Sequence, residues 1–282
     1  MSSLWMLSAG LAFALLAVCV KLGAMHGISA GLLVFSRSFV SFLILYVWMR
    51  FRGMQIETRQ WKLHIASAAV GLVSLASYFY ALQQLSLATA VTLNNASPIF
   101  LGLLLMVRRQ QPVRAASLLA LALGFVGVAF LLQPSFDATE WLGYAMALFS
   151  AITAAFYISN IRRLAEAGES TARTVLYFSL FSSIGVLPWA TATVDERVFS
   201  WVAIGLLLGV GVFAVIGQML MTHAFQKGNP LVTASLAYSQ VAFSIALGIV
   251  LWQDAIPAHV GIGIFLIIAS GVLTSALGRR TA

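Results

Sequence analysis

Charged residues are scarce in this chain of 282 residues, and their scarcity excludes most kinds of protein. Only 9% of the residues are charged, whereas a soluble domain has about 25%. Hydrophobic residues make up 61%, and the mean hydropathy is +0.97. This composition excludes a water-soluble globular domain, a disordered chain and a collagen-like chain. We therefore expect the protein to act within a lipid bilayer.

Cysteine and catalytic motifs are also scarce. The single cysteine, Cys19, excludes an internal disulfide framework and an all-cysteine metal site. No His-Glu-x-x-His motif and no pair of aspartates lies in an apolar run. We therefore expect neither an enzyme nor a cofactor or metal. No basic residue precedes the first apolar run, so we expect that run to be retained as a helix rather than cleaved as a signal peptide.

Long apolar runs dominate the chain. A helix needs about 20 apolar residues to cross a bilayer, and ten runs of that size occur, joined by short connections. We number them as spans 1 to 10. They cover approximately residues 4–24, 31–50, 62–82, 88–107, 114–132, 141–161, 172–191, 200–223, 231–252 and 257–277.

The basic residues lie mostly on one side of the predicted membrane. Successive connections alternate between the two sides of the membrane. Of the 16 Lys and Arg residues, 13 fall on the side that also holds the two chain ends, whereas only Lys21 and Arg197 fall on the other side. The remaining one, Arg37, lies inside span 2. Because cytoplasmic loops are enriched in Lys and Arg, both termini are expected in the cytoplasm. The net charge of +8 thus reflects orientation and not binding to nucleic acid.

The two halves of the chain resemble each other. The segment 81–128 matches 224–272 at an offset of 143–144, and Lys21 corresponds to Arg162 at an offset of 141. We predict two repeats of five spans, residues 1–135 and 136–282. Five is odd, so the second repeat enters the membrane from the opposite side, as in many transporters. Chance alignment of apolar segments is the alternative explanation.

Polar residues recur at helical spacing in several spans, and they indicate a shared binding site because buried polar groups avoid lipid. Small hydroxyl groups also join helices to one another, which is the alternative interpretation. Amides are the stronger candidates, since they can serve either end of a zwitterion. The candidate substrate-binding residues are Tyr78, Asn94, Asn95, Ser97, Tyr157, Asn160, Tyr238, Gln240 and Ser244.

Proline in the middle of span 4 predicts a broken helix. Pro98 has no N–H, and its ring crowds the carbonyl of Asn94, four residues earlier. The corresponding residue of span 9 is Val241, so we expect the two halves to bend unequally. The candidate gating or hinge residues are Pro98, Arg37, Gly211, Gly217 and Gly248.

No acidic residue lies in the middle of a predicted span. Proton-coupled exporters of cations usually need an intramembrane carboxylate, so facilitated movement down a gradient is the simpler expectation. His223 is the only histidine inside a span. It is the candidate for a proton-linked role, with a buried neutral histidine as the alternative.

Several segments of the chain resemble the drug/metabolite transporter superfamily. They are the run from Tyr80 to Phe100 and, above all, residues 224–230 through Gln253 and Asp254, and residues 271–272. The chain is most similar to the EamA family and, within it, to YddG-like exporters of aromatic and other amino acids. Gln110 departs from the family pattern, which often has an acidic residue after span 4.

The resemblance implies ten transmembrane helices in two inverted repeats, in a bacterial inner membrane, with a cavity lined by spans 1, 3, 4, 6, 8 and 9. It implies export of amino acids or similar small metabolites by alternating access, by a protein that functions as a monomer. The alternative is another small solute, such as a nucleoside, a drug or a toxic analogue, with or without proton coupling.

Overall fold

A computed structural model describes residues 2–85, 87–108, 115–133, 140–193, 200–252 and 258–279. Within these ranges the chain is helical and contains no strand. The helices are α1 (Ser2–Met25), α2 (Ala30–Phe51), α3 (Trp61–Gln84), α4 (Leu87–Asn94), α5 (Ser97–Val107), α6 (Ala115–Leu132), α7 (Trp141–Glu166), α8 (Thr171–Ala192), α9 (Trp201–Lys227), α10 (Pro230–Ala237), α11 (Ser239–Trp252) and α12 (Ala258–Arg279).

These helices fall on the apolar runs predicted from the sequence. Spans 4 and 9 each contain two consecutive helices, α4 with α5 and α10 with α11, and every other span contains one. Helix α7 continues five residues past its predicted end, from 161 to Glu166. Among the described residues, seven segments are long and apolar enough to cross a membrane, with each broken pair counted once. The described part of the protein is all-helical apart from its turns and connections, and the composition suits a multi-pass membrane protein.

Two connections between helices have the same local structure. Gly27 and Gly168 adopt positive φ angles of 77° and 82°, which glycine tolerates because it has no Cβ. Two residues later, the side chains of Ser29 and Ser170 accept a hydrogen bond from the backbone N–H three residues ahead. These bonds cap α2 and α8. Both the glycines and the serines are 141 residues apart.

The helices pack in a few dominant pairs. Helix α1 lies against α9, α3 against α7, α2 against α8, and α6 against α12. The largest cluster of buried apolar side chains joins α1, α5, α6, α7, α9 and α10, and it includes Phe13, Leu101 and Phe225. Large apolar side chains also cover the exterior, as expected of a surface in contact with lipid: Phe51 and Trp201 are 87% and 88% exposed.

Candidate functional site

A polar face on α7 connects it to α3 and α4. The Ser150 hydroxyl donates to the Ala147 carbonyl over 2.7 Å, so its oxygen accepts from Asn94 Nδ2, also over 2.7 Å. The Ser150 carbonyl accepts from Ser74 Oγ of α3 at 2.8 Å. Three helices therefore meet at one fully buried serine.

Tyr157 lies two helical turns further along the same face of α7, about 10 Å away. Gln218 of α9 donates from Nε2 to its hydroxyl oxygen over 2.7 Å, and both residues are buried. The Tyr157 ring lies 4.8 Å from that of Phe178 on α8. A Cβ on Gly71 of α3 would come within 2.7 Å of the Phe178 ring. Because glycine has no Cβ, position 71 leaves room for the rings of Tyr157 and Phe178.

Arg37 of α2 is partly exposed, and Ser41, one turn later, donates to the Gly211 carbonyl of α9 over 3.2 Å, two helical turns before Gln218. We call Asn94, Ser150, Tyr157 and Gln218 together the α7 zone. An open groove lies on the exposed side of α2, away from this zone, and is lined by Leu43, Ile44, Val47, Trp48, Phe51 and Arg52. The α7 zone itself is closely packed around Ser150, Tyr157 and Gln218, so access to it requires helix movement.

The break between α4 and α5 falls where the sequence predicts it. Helix α4 ends at Asn94, and Pro98 is the second residue of α5. The Asn95 side chain donates from Nδ2 to the Val91 carbonyl over 2.8 Å, one turn earlier. Asn94, Asn95 and Ser97 are all partly buried. Because both asparagines donate through Nδ2, their Oδ1 atoms are available as acceptors.

The break between α10 and α11 falls at Tyr238 and contains no proline. Tyr238 has no exposed surface, its hydroxyl donates to the Leu121 carbonyl over 3.3 Å, and its ring packs in a cluster with Val128 and Ile267. The structure therefore does not bring Tyr238 into the α7 zone: it lies between α6 and α12. Contact with substrate would need another conformation, and that role stays a prediction.

Gln240 and Ser244 follow this break on α11. Gln240 is exposed, and Ser244 is partly buried. Gly10 of α1 approaches the same point closely, since a Cβ on it would lie 3.2 Å from the Gln240 backbone nitrogen. The first turn of α11 is thus held against α1.

Two further candidates are Asn160, on α7 itself, and Tyr78, on the neighbouring α3. Asn160 is 8% exposed and is one turn beyond Tyr157. Tyr78 of α3 packs against the buried cluster of Ala81, Leu85, Ala90 and Ala147, at the end of α3 nearest α4. Their contact with substrate stays a prediction.

The predicted hinge glycines of α9 lie at close helix contacts. A Cβ on Gly211 would clash with Val40 of α2, and one on Gly217 would lie 2.8 Å from the Phe13 ring of α1. Helix α9 is continuous past both glycines. Gly248 lies inside α11. The structure thus gives Gly211 and Gly217 a packing role, and bending at all three stays a prediction.

His223 lies near the end of α9, among polar side chains of α8. Its Nδ1 is 3.4 Å from the Thr171 hydroxyl, which also donates to Gln226 Oε1 over 2.6 Å. The imidazole meets the Trp5 ring edge-on at 5.3 Å. These contacts join α1, α8 and α9. A proton-linked role for His223 stays a prediction.

Sequence reasoning missed Gln218, although it is a primary amide in the middle of an apolar run, like the asparagines that were selected. It also missed a buried cluster around Glu169, in the connection between α7 and α8. This carboxylate lies 3.4 Å from His64 Nε2 and 3.0 Å from Arg173 Nε, and it accepts from the Thr58 hydroxyl over 2.6 Å. The cluster joins α3 and the α2–α3 connection to the start of α8.

One short string deserves comparison with hydrolases. Residues 27–31 read Gly-Ile-Ser-Ala-Gly, which matches the Gly-x-Ser-x-Gly pattern around nucleophilic serines. Here the serine, Ser29, caps α2 and donates to the Thr193 hydroxyl over 3.1 Å. Among the residues that the structure describes, no histidine bonds to this hydroxyl, whereas a nucleophilic serine is activated by such a partner.

Comparisons with known proteins agree with the resemblance noted in the sequence. The model of the EamA-like transporter family matches residues 1–133 and 141–276. The pseudopaline exporter CntI of Pseudomonas aeruginosa is 29% identical over 244 residues, which cover 86% of this chain and 82% of the relative. An uncharacterized transporter of Helicobacter pylori is 23% identical over 95% of this chain and 92% of its own.

A riboflavin transporter of Vibrio cholerae is 20% identical over 95% of this chain and 90% of its own. One crystal structure is similar with a TM-score of 0.87 at 18% identity, covering 99% of this chain and 98% of the other. At this identity the likeness establishes the shared fold alone.

Proposed function

Because the chain belongs to the EamA-like transporter family, we propose that it exports amino acids or similar small metabolites by alternating access. The family and the relatives indicate a transporter rather than an enzyme. The observation that carries the proposal is the α7 zone, where amide, hydroxyl and phenol groups from α4, α7 and α9 are hydrogen-bonded inside an otherwise apolar bundle. Buried polar groups of this kind mark solute pathways in membrane proteins.

We propose the same architecture as the sequence predicts: ten spans in two inverted repeats, residues 1–135 and 136–282. The family model matches on either side of that boundary. The equivalent turns at Gly27 and Gly168 support it, as do the helix pairs. Between the two repeats, span 1 corresponds to span 6 and span 3 corresponds to span 8. The pair of spans 1 and 8 (α1 and α9) therefore corresponds to the pair of spans 6 and 3 (α7 and α3), and both pairs pack closely.

The amides at the break of span 4 suit the cationic end of a solute. The Val91 carbonyl can only accept, and the Ser150 hydroxyl already donates to Ala147, so Asn95 and Asn94 both present Nδ2 to these partners. Their Oδ1 atoms are then left to accept from a ligand such as an ammonium group. Pro98, beside them, supplies the flexible point that alternating access requires.

We base the proposed orientation and energy source on the charge distribution. Both termini are proposed to lie in the cytoplasm of a bacterium, with the protein in the inner membrane and functional as a monomer. Within the described helices the single acidic residue is Glu166, at the very end of α7. Facilitated export therefore needs fewer assumptions than exchange for protons, with His223 as the group to test for coupling.

A longer polar solute is the second candidate. Residues Ser150 and Tyr157 lie about 10 Å apart along the axis of α7, which exceeds the separation of charges in a single amino acid. The names of two relatives, an exporter of pseudopaline and a transporter of riboflavin, agree with solutes other than free amino acids in this family.

Uptake by proteoliposomes containing the purified protein tests the proposal. A panel of amino acids, nucleosides and riboflavin is offered with and without a pH gradient. We expect uptake of at least one amino acid, independent of the pH gradient, and a loss of about tenfold or more in Asn95→Ala, equivalent to about 1.4 kcal/mol.

The matched control is Gln55→Ala, which removes an exposed amide from the α2–α3 connection. It is expected to transport like the wild type. Uptake of riboflavin or a nucleoside without any amino acid would contradict the proposed substrate class. Unchanged flux in Asn95→Ala would move the binding site away from this break, and proton dependence lost in His223→Gln would contradict facilitated export.

A further inference from the structure

The turns before α2 and α8 differ in one buried residue. Both have a glycine at a positive φ angle and a capping serine two residues later, but the residue between them is Ile28 in one turn and Glu169 in the other. Both side chains are buried, with 4% and 7% of the residue exposed. The turns lie at opposite ends of the bundle, because Glu169 contacts Thr58, which follows α2, whereas Ile28 precedes this helix of 22 residues, about 33 Å long.

The turn at Ile28 is held by apolar packing. Ile28 lies in a buried cluster with Leu33, Ala203 and Val210, which joins the start of α2 to α9. Cys19 of α1 is partly buried and packs against the same cluster. Hydrophobic contact thus brings three helices together at this end.

The turn at Glu169 is held by charge. Of the four carboxylates in the described ranges, only that of Glu169 is buried. It faces Arg173 and His64, and the Thr58 hydroxyl donates to it. We call these four residues the Glu169 cluster. A buried carboxylate requires such partners, because an uncompensated charge is costly inside a protein.

The Glu169 cluster joins the two proposed repeats. His64 and the α2–α3 connection belong to the first repeat, whereas Glu169 and Arg173 belong to the second. Arg173 also donates from Nη1 to the Glu57 carbonyl of that connection over 2.8 Å. Because alternating access moves one repeat against the other, contacts across this boundary change when this end opens.

The contacts of the Glu169 cluster are suited to release. Oε2 of Glu169 lies 3.0 Å from Arg173 Nε and 3.4 Å from His64 Nε2, but none of these three buried atoms makes a hydrogen bond within the described part of the chain. The two ion contacts thus lack the alignment of hydrogen bonds, which makes them weaker than a bidentate pair. The cluster therefore holds the connections together without locking them.

We propose that the Glu169 cluster is an ionic latch that closes this end of the transporter, while the apolar packing around Ile28 closes the opposite end. Breaking the latch then favours the conformation that is open at the Glu169 end and closed at the Ile28 end. This inference rests on the proposed transport by alternating access, and it adds the contacts that set the balance between its two states.

The thiol of Cys19 tests the inference, because it is the single cysteine of the chain and packs against the cluster of Ile28. Its labelling by a water-soluble maleimide is followed over time in the purified full chain in detergent. Glu169→Gln is expected to slow labelling about fivefold, and Ile28→Ala to speed it by a similar factor. A loss of stability can only expose the thiol, so slower labelling reports release of the latch and not damage to the fold.

Matched variants separate the latch from other effects. Glu166→Gln removes an exposed carboxylate from the end of α7 and should label like the wild type. Thr58→Val removes the hydrogen bond to Glu169 but no charge, so it should slow labelling less than Glu169→Gln. The double variant of Ile28→Ala with Glu169→Gln should label more slowly than Ile28→Ala alone, which keeps the test measurable where wild-type labelling is slow.

The outcomes separate this inference from the proposed function. A double variant that labels as fast as Ile28→Ala, or faster, would overturn the latch whatever the protein transports. Labelling that Ile28→Ala does not speed would overturn the role of the packing around Ile28. Slower labelling on loss of Glu169, without uptake of any amino acid, would support the latch and contradict only the proposed amino-acid substrate.

Discussion

The break between α4 and α5 and the break between α10 and α11 occupy equivalent places in the two proposed repeats, since Asn95 and Tyr238 are 143 residues apart. The first is produced locally: Pro98 removes a backbone donor, and the Asn95 amide binds the carbonyl one turn back. The second is produced by tertiary contacts, because no proline is present and a buried tyrosine fills the interruption.

This difference indicates how the two breaks should respond to motion. A break encoded by proline persists when the surrounding helices move apart, because the missing N–H cannot be restored. A break held open by packing depends on its neighbours, which here are α1, α6 and α12. We therefore expect the first break to act as a permanent flexible point and the second to change with the contacts of Tyr238.

The largest expected effect is at the second break, where Gly124 of α6 touches the Tyr238 ring. A Cβ on Gly124 would lie 2.6 Å from two ring carbons of Tyr238 and from Ser270 Oγ. Gly124→Ala is expected to destabilise the protein by about 1–3 kcal/mol through overpacking, measured as a fall in Tm in detergent. Gly205→Ala is the control, because nothing lies within 4 Å of a Cβ there. Equal Tm values for the two variants would show that Tyr238 is loosely held.

Next in size is the contact that ties the first break to α7. Ser150→Ala removes the acceptor of Asn94 Nδ2, and an unpaired buried amide costs about 1–3 kcal/mol. We expect a fall in Tm near the lower end of that range, because Asn94 is only partly buried. Thr153→Ala is the control on the same helix, since its hydroxyl bonds only to the carbonyls of Phe149 and Ser150 in α7 itself. A larger effect in Thr153→Ala would argue against the Asn94 contact.

A smaller effect is expected when the proline is removed from the first break or a proline is introduced at the second. Pro98→Ala restores an N–H that can reach the Asn94 carbonyl and so favours a straighter helix. We expect a loss of flux of about fivefold, equivalent to about 1 kcal/mol. Val241→Pro removes one hydrogen bond, from Val241 N to the Tyr238 carbonyl at 3.1 Å, and should reduce flux less. The reverse order of the two variants in a proteoliposome assay would mean that the second break, not the first, limits transport.

The two breaks also explain what could be predicted from the sequence. The first was predicted because its cause, Pro98, is local and has a fixed chemical consequence. The second was not expected, since Val241 gives no sign of it; its cause lies in Gly10 of α1 and Gly124 of α6, which approach only after folding. The positions of the apolar helices were also predicted, because hydropathy, like the effect of Pro98 on the backbone, is a local property of the sequence.

The candidate site was predictable only in part. Residues such as Asn94 and Tyr157 were found because a polar residue in an apolar run is conspicuous. Their partners depend on how each helix is rotated about its axis. The sequence could not indicate that Tyr157 meets Gln218, or that Tyr238, the same type of residue in a similar run, turns toward α6 and α12. Rotation is decided by contacts between helices distant in the chain.

The smallest expected effect is the loss of the Tyr238 hydroxyl, and it tests whether the second break is held by shape or by a hydrogen bond. The bond to the Leu121 carbonyl is long, at 3.3 Å, so Tyr238→Phe is expected to lower stability by only about 0.5 kcal/mol, a shift in Tm of about 1–2 °C. The ring, which fills the space beside Gly124, remains. A Tm loss as large as that of Gly124→Ala would mean that the hydrogen bond, rather than the fit of the ring, keeps α10 and α11 apart.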